Sequence, residues 1–212
     1  MSHPGAKPRK FIAVAGNIGA GKTTLVEFLC QTYGFRPFVE PNLLNPYLDD
    51  FYSDMERWAF HSQVSFLSHK FRLHMELMSE PSTVVQDRTI YEDAVFAKML
   101  VQLELMDERD YENYLSLFRH MSNFMCRPHI IVYLDIAPET SFERINMRSR
   151  SVESGISLDY LQRLYDEYET FVQEISASIP VIRVGWEQFH DVERVADAIT
   201  REVSRASYMR EV

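Results

Sequence analysis

Apolar positions follow two rhythms along this chain. Short, nearly continuous apolar runs fall at residues 11–15, 37–39, 83–86, 130–134 and 181–184, the look of strands buried on both faces. Longer stretches between them repeat their apolar positions with a helical period and predict helices over 22–33, 55–78, 90–106, 108–124, 138–148, 158–176 and 192–206. Strand–helix alternation of this kind argues for an α/β fold built on a parallel sheet. Several helix starts carry chemical signals. Thr89-Ile90-Tyr91-Glu92 fits a capping box. Pro138 suits a first helical position, and Ser157 ahead of Leu158-Asp159 reads as an N-cap. The helices expected between the third and fourth strands would form a hairpin rich in Met, Phe and Leu, serving either the internal core or a dimer face.

Without an internal repeat, low-complexity tract or Pro/Ser linker, residues 10–212 read as a single domain behind a polar tail, 1–9, expected to be disordered. A chain of 212 residues can bury its own core without staples. Its 22 Lys and Arg against 31 Asp and Glu leave a formal charge of −9, which argues against nucleic acid as a partner. Cys30 and Cys126 form no C-x-x-C pair and read as reduced thiols packed in helices. No apolar run approaches bilayer length and no signal-type segment opens the chain, so the cytoplasm is the expected location, with no membrane partner.

The segment Gly16-Asn17-Ile18-Gly19-Ala20-Gly21-Lys22-Thr23 satisfies G-x-x-x-x-G-K-[ST], with a strand before it and a helix after it. Glycines let successive N–H groups turn toward phosphate oxygens, and the helix N-terminus adds to that field. Lys22 is expected to reach the β- and γ-phosphates and Thr23 to ligate Mg²⁺. Such a loop specifies a nucleoside triphosphate site, not a reaction. The chain lacks the N-K-x-D and D-x-x-G strings of a GTPase, and its third strand ends in Asp87-Arg88 rather than the Asp-Glu of a motor. Small-molecule kinases remain the leading class.

In a parallel sheet the ligand crevice opens at the carboxyl ends of the strands. Glu40, closing strand two, would face that crevice and suits taking a proton from an attacking hydroxyl; its plainer reading is a solvated strand-end carboxylate. Asp87 and Arg88 arrive from strand three, to orient a hydroxyl, support Mg²⁺ or stabilise the transferring phosphoryl, or simply to pair with each other. Arg144, Arg148 and Arg150, followed by Glu153, concentrate positive charge in an acidic chain. They look like a phosphate clamp on a lid over about 148–156, or else a solvated helix end.

Together these residues resemble the deoxyribonucleoside kinase family from about Lys10 onward. The resemblance is carried by Gly-Asn-Ile-Gly-Ala-Gly-Lys-Thr-Thr (ending at Thr24), Val39-Glu40-Pro41, Glu56-Arg57-Trp58-Ala59-Phe60 with Gln63, Asp87-Arg88-Thr89, and Arg148-x-Arg150-x-x-Glu153 with Gly155. It implies the P-loop NTPase/kinase fold, with a five-stranded parallel sheet flanked by helices and a short Arg-rich lid. It also implies a homodimer with a helical interface, and ATP with Mg²⁺ as donor. By resemblance, Gly16 to Thr24, the lid arginines and Glu187-Gln188-Phe189 bind ATP, the last three at the adenine. Glu40 is the base on the 5′-hydroxyl, a role sometimes given to the residue at Asp87. Arg88 holds that hydroxyl and the phosphate, Tyr52 and Glu153 hold the 3′-hydroxyl, and Gln63 and Asp93 read the nucleobase. Asp87 stands where the family usually has Glu, Lys70 where many members carry Arg, and Ser62 where animal members often have Phe. Asp-Arg-Thr-Ile-Tyr-Glu-Asp looks most like bacterial deoxyadenosine/deoxyguanosine kinases and implies a purine preference, with deoxycytidine also accommodated. The rivals are a nucleoside monophosphate kinase, which Glu40 disfavours by repelling a phosphate, and a non-catalytic nucleotide-binding subunit.

Overall fold

A computed structural model of the chain describes residues 10–39, 45–148, 155–187 and 192–208. The expected tail (1–9), Glu40 and most of the expected lid, including Arg150 and Glu153, lie outside these residues, as do Gln188 and Phe189. Five strands, β1 (Phe11–Gly16), β2 (Arg36–Val39), β3 (Val84–Asp87), β4 (Ile130–Asp135) and β5 (Val181–Gly185), pair in parallel in the order β2-β3-β1-β4-β5. The helices are α1 (Lys22–Tyr33), α2 (Leu48–Ser53), α3 (Met55–Ser79), α4 (Ile90–Gln102), α5 (Glu108–Ser122), α6 (Pro138–Arg148), α7 (Leu158–Ile175) and α8 (Val192–Tyr208).

Alternation along the central strands sends side chains to two separate cores. Ile12, Val14 and Val85 pack with Leu25, Val26 and Leu29 of α1 and with Val195, Ala196 and Ile199 of α8. Ala13, Ala15, Ile131 and Tyr133 point the other way, into Ala59 of α3, Phe96 and Met99 of α4, and Leu161, Leu164 and Tyr168 of α7. The sheet is therefore covered on both faces. The register pairs Val14 with Asp87, so the end of β1 and the end of β3 reach the same edge together.

Only the middle of the sheet fits the expectation of strands buried on both faces. In β2, Phe38 alone is buried, and β5 is half-exposed or exposed throughout. Both are outermost strands, which have one sheet neighbour and one partly covered side. Helix α4 stops at Gln102, short of the expected 106. Glu104 adopts a left-handed φ of 59°, and the N–H groups of Leu105 and Met106 fold back to the Leu100 carbonyl, turning the chain into α5. The six-residue α2 was not expected from the sequence; it is too short to show a helical period. Cys30 lies in α1 as expected, but Cys126 lies beyond the end of α5, its N–H donating to His74 Nε2 at 3.1 Å; neither cysteine is in a disulfide among the described residues.

Helix α3 begins at Asp54, whose carboxylate accepts from the Arg57 N–H at 3.3 Å. This cap fixes the start of the helix that carries Gln63 and Lys70. Asp54→Ala should lower the unfolding free energy by about 1 kcal/mol, read from the urea midpoint at unchanged m-value.

Candidate active site

The loop from Gly16 to Gly21 leaves β1 and enters α1 through three glycines with left-handed or otherwise positive φ: Gly16 at 147°, Gly19 at 80° and Gly21 at 88°. A Cβ on Gly19 would stand 2.7 Å from the Ser141 carbonyl, so side-chain-free backbone is required where the loop passes α6. Asn17 is buried and ties the loop to α7, its amide donating to the Leu161 carbonyl at 2.9 Å. Ile18 and Ala20 are buried, and Thr24 is exposed on the first turn of α1. Lys22 is 7% exposed and donates to the carbonyls of Gly16 (2.9 Å) and Asn17 (2.8 Å), closing the loop from inside. Burial, then the neighbouring Arg88, push Lys22 down to about 7, with Asp87 and Glu92 opposing and Arg148 adding to the fall.

Strand β3 supplies the second wall. Thr23 donates to Asp87 Oδ2 at 2.6 Å, while Asp87 Oδ1 is buried with no hydrogen-bond partner among the described residues. A hydroxyl and a carboxylate oxygen are hard donors, and a Mg²⁺ bound mainly through phosphates asks for no more from the protein. Next, Arg88 takes a left-handed φ of 61°, rare for a residue with a side chain, and its N–H donates to the Val14 carbonyl at 3.1 Å. Its half-buried guanidinium lies 4.7 Å from the centroid of the Phe96 ring. Burial opposes the charge on Arg88, but Tyr168, Glu92, Asp87 and Tyr52 outweigh it and the shift is upward. Arg88 therefore stays cationic beside a lysine that does not hold its charge as firmly.

The residues expected to hold the acceptor and described here lie mainly on α2, α3 and α4. Gln63 of α3 is 3% exposed; an amide carries both donors and an acceptor, as expected of a nucleobase reader. Lys70, also on α3, forms a buried ion pair with Asp93 Oδ1 in the first turn of α4. Tyr52 of α2 is half-buried, and Gly155, where the described chain resumes, approaches its carbonyl. Ser62 is fully buried and accepts from the Asn45 amide at 3.0 Å, so it anchors backbone and does not replace a stacking ring.

The two remaining groups of expected ATP residues are held by backbone or by a helix end. Arg144 of α6 donates to the carbonyls of Ala20 (3.3 Å), Trp186 (2.9 Å) and Glu187 (3.1 Å), joining the phosphate loop to the turn after β5. The Glu187 carboxylate accepts from Ala137 N–H and Thr140 Oγ1, both at 2.7 Å, and so caps α6. Arg148, at the end of α6, is exposed. Sequence reasoning assigned Glu92 only to a cap. In the structure it also joins the site: Oε2 accepts from the Gly16 N–H at 3.3 Å and the Tyr168 hydroxyl at 2.9 Å.

The deoxynucleoside kinase family model matches residues 12–207. The chain belongs to the deoxynucleoside kinase family. It is 45% identical to deoxyadenosine kinase of Dictyostelium discoideum over 201 residues, covering 95% of this chain and 82% of that protein. It is 35% identical to deoxyadenosine/deoxycytidine kinase of Bacillus subtilis (strain 168) over 197 residues, covering 89% and 90%. A solved structure of deoxyadenosine kinase from M. mycoides with bound dCTP superposes at a TM-score of 0.81 with 28% identity, covering 92% of this chain and 99% of that one. As a deoxynucleoside kinase the chain transfers phosphate from ATP to a deoxynucleoside, and the P-loop kinase fold expected from the loop and the strand alternation is the fold observed.

Lys22→Met should abolish turnover while the fold persists, because it removes the charge that tracks the transferring phosphoryl. The same substitution has a second readout in the nucleotide-free protein. Between about pH 7 and the ordinary lysine value of 10.5, the unfolded chain holds a proton that the fold has shed. Wild-type stability therefore gains a rising contribution across that window, and Lys22→Met should remove it. Urea midpoints of both proteins from pH 7 to 10 check the sign; identical slopes would mean that Lys22 is not desolvated.

Proposed function

We propose that this enzyme phosphorylates the 5′-hydroxyl of purine deoxynucleosides, deoxyadenosine and deoxyguanosine, with deoxycytidine as an accepted further substrate. The observation that carries the reading is the buried Lys70–Asp93 ion pair that joins α3 to α4, with Gln63 also buried on α3. An Asp93 kept ionised by Lys70 accepts hydrogen bonds and donates none. Adenine and cytosine offer an exocyclic amine, and guanine offers N1–H together with its 2-amino group, a donor pair that thymine lacks. Thymine presents a carbonyl oxygen at the corresponding edge, which would leave a desolvated carboxylate facing an acceptor. The relatives named deoxyadenosine, deoxyadenosine/deoxycytidine and deoxyguanosine kinase support the same preference.

In this reading Glu40 takes the proton of the 5′-hydroxyl, and Arg88, fixed as a cation, holds that hydroxyl and the transferring phosphoryl. The bond from Thr23 to Asp87 supports a metal-side role for Asp87 and leaves the base role to Glu40. Thr23 and Asp87 would hold Mg²⁺, which would neutralise charge on the triphosphate when bound. The lid residues Arg148 and Arg150 clamp the phosphates of ATP, Glu153 and Tyr52 hold the 3′-hydroxyl, and Glu187, Gln188 and Phe189 take the adenine. A homodimer goes with this reading. Met75, Met78, Leu117 and Phe124 are exposed apolar side chains on α3, on α5 and just beyond it. The bond from Cys126 to His74 brings the ends of those two helices together. No helix among the described residues is long and apolar enough to cross a membrane, and a cytoplasmic location is proposed with the function.

Initial rates with ATP and each of the four deoxynucleosides, and with dAMP as a monophosphate control, test the reading. A purine deoxynucleoside should give the highest kcat/KM, thymidine the lowest, and dAMP none. Asp93→Ala combined with Lys70→Met removes the carboxylate and its counter-ion together and should raise the thymidine-to-deoxyadenosine ratio of kcat/KM about tenfold, from a penalty of about 1–3 kcal/mol. A wild type that prefers thymidine, or a ratio that does not move, would make Asp93 a purely structural residue. Phosphorylation of dAMP would favour the monophosphate kinase instead.

A further inference from the structure

Glu92 carries more hydrogen bonds than its place in a capping box requires. The cap itself uses Oε1, which accepts from the Thr89 N–H at 3.0 Å. The other oxygen is spent elsewhere: Oε2 takes the N–H of Gly16, 76 residues away in sequence, and the hydroxyl of Tyr168 on α7. The side chain is fully buried. Gly16 is thereby gripped from both sides of its residue, its N–H by the Glu92 carboxylate and its carbonyl by the Lys22 ammonium. Thr89, held by the same carboxylate, immediately follows Arg88. One side chain thus spans the first residue of the phosphate loop, the residue next to the acceptor-side arginine, and the helix that follows the lid.

Charge alone does not account for an anion here. A carboxylate behind the phosphate loop repels a triphosphate, so on electrostatic grounds its removal should help ATP bind. Burial raises the Glu92 carboxyl above its ordinary range, with Arg88, then Lys22 and Lys70, drawing it back toward ionisation. What the carboxylate supplies is two acceptor oxygens at fixed spacing, one for each wall of the site.

We propose that Glu92 is a positioning residue for phosphoryl transfer, fixing the distance between the donor loop at Gly16 and the acceptor-side turn at Arg88 and Thr89. The proposal rests on the phosphotransfer reading above.

Glu92→Gln separates this role from capping. The amide oxygen can still accept from the Thr89 N–H, so the cap survives. The NH₂ group then faces the Gly16 N–H, donor against donor, and the tether to the loop is lost. In this variant kcat should fall about tenfold or more, the scale of a small misplacement of reacting groups, with the nucleoside KM within about twofold of wild type. ATP affinity by calorimetry should be unchanged or tighter. A kcat within twofold of wild type would reduce Glu92 to a cap, and ATP binding weakened tenfold or more would reduce it to a prop for the loop; either overturns the proposal. If the variant does not fold, Tyr168→Phe, which strips one donor from Oε2 and leaves the carboxylate, should lower kcat about threefold at unchanged KM, and an unaltered kcat would overturn it. If wild type phosphorylates none of the four deoxynucleosides, the functional reading fails, and the calorimetric arm alone decides the tether: unchanged or tighter ATP binding keeps it, tenfold weaker binding overturns it.

Discussion

Opposite charges meet across the residue Gly16, and the two halves of the site are built outward from that point. The Glu92 carboxylate accepts from its N–H and the Lys22 ammonium donates to its carbonyl. A residue with a side chain could not replace it, since a Cβ there would stand 2.9 Å from the Leu134 carbonyl of the neighbouring strand. From Gly16 the loop runs into α1 toward the donor phosphates. From Glu92 the first turn of α4 runs back through Thr89 to Arg88 and forward to Asp93. Neighbouring residues of one helical turn therefore tie two parts of the fold together: Glu92 holds the phosphate loop at Gly16, and Asp93 meets Lys70 of α3.

Several buried charges share this small volume, and their arrangement explains why each persists. Lys22 is destabilised by burial and by Arg88, and partly compensated by Asp87 and Glu92. Arg88 remains charged because carboxylates, tyrosine hydroxyls and the Phe96 ring surround it. Such a site costs the fold stability in the absence of nucleotide, and a triphosphate supplies the counter-charge. The left-handed Arg88 belongs to the same economy. Its backbone is held by the Val14 carbonyl on one side and by the Thr89 cap on the other, so strain is confined to one residue at the acceptor wall.

Much of this was legible in the sequence because its signals are local. The phosphate loop is a contiguous string, the α4 cap needs only Thr89 and Glu92, and α1 and α6 begin and end where the apolar period predicts. Features set by distant contacts were not legible. The second oxygen of Glu92 finds Gly16 only because β1 and β3 are neighbours in register. Arg144 resembles a phosphate clamp in sequence, yet its guanidinium is satisfied by backbone carbonyls of three residues brought together by the fold. Glu187 reads as a loop residue near the donor base and caps a helix that starts 49 residues earlier at Pro138, through Ala137 and Thr140. The exposure of β2 and β5 follows from strand order, which periodicity does not encode. Of the expected site residues, Gln63 lies buried on α3, and Asp93 lies buried on α4 in an ion pair with Lys70 of α3.

A crystal structure of the enzyme with deoxyadenosine and a non-hydrolysable ATP analogue is the most direct test of this architecture. The phosphates should lie along the N–H groups between Gly16 and Thr23, with the Gly16 N–H still on Glu92. The adenine should hydrogen-bond to Gln63 and Asp93 while Lys70 remains on the carboxylate. A nucleoside bound away from the α3–α4 contact, or a phosphate loop detached from Glu92 in the complex, would contradict it.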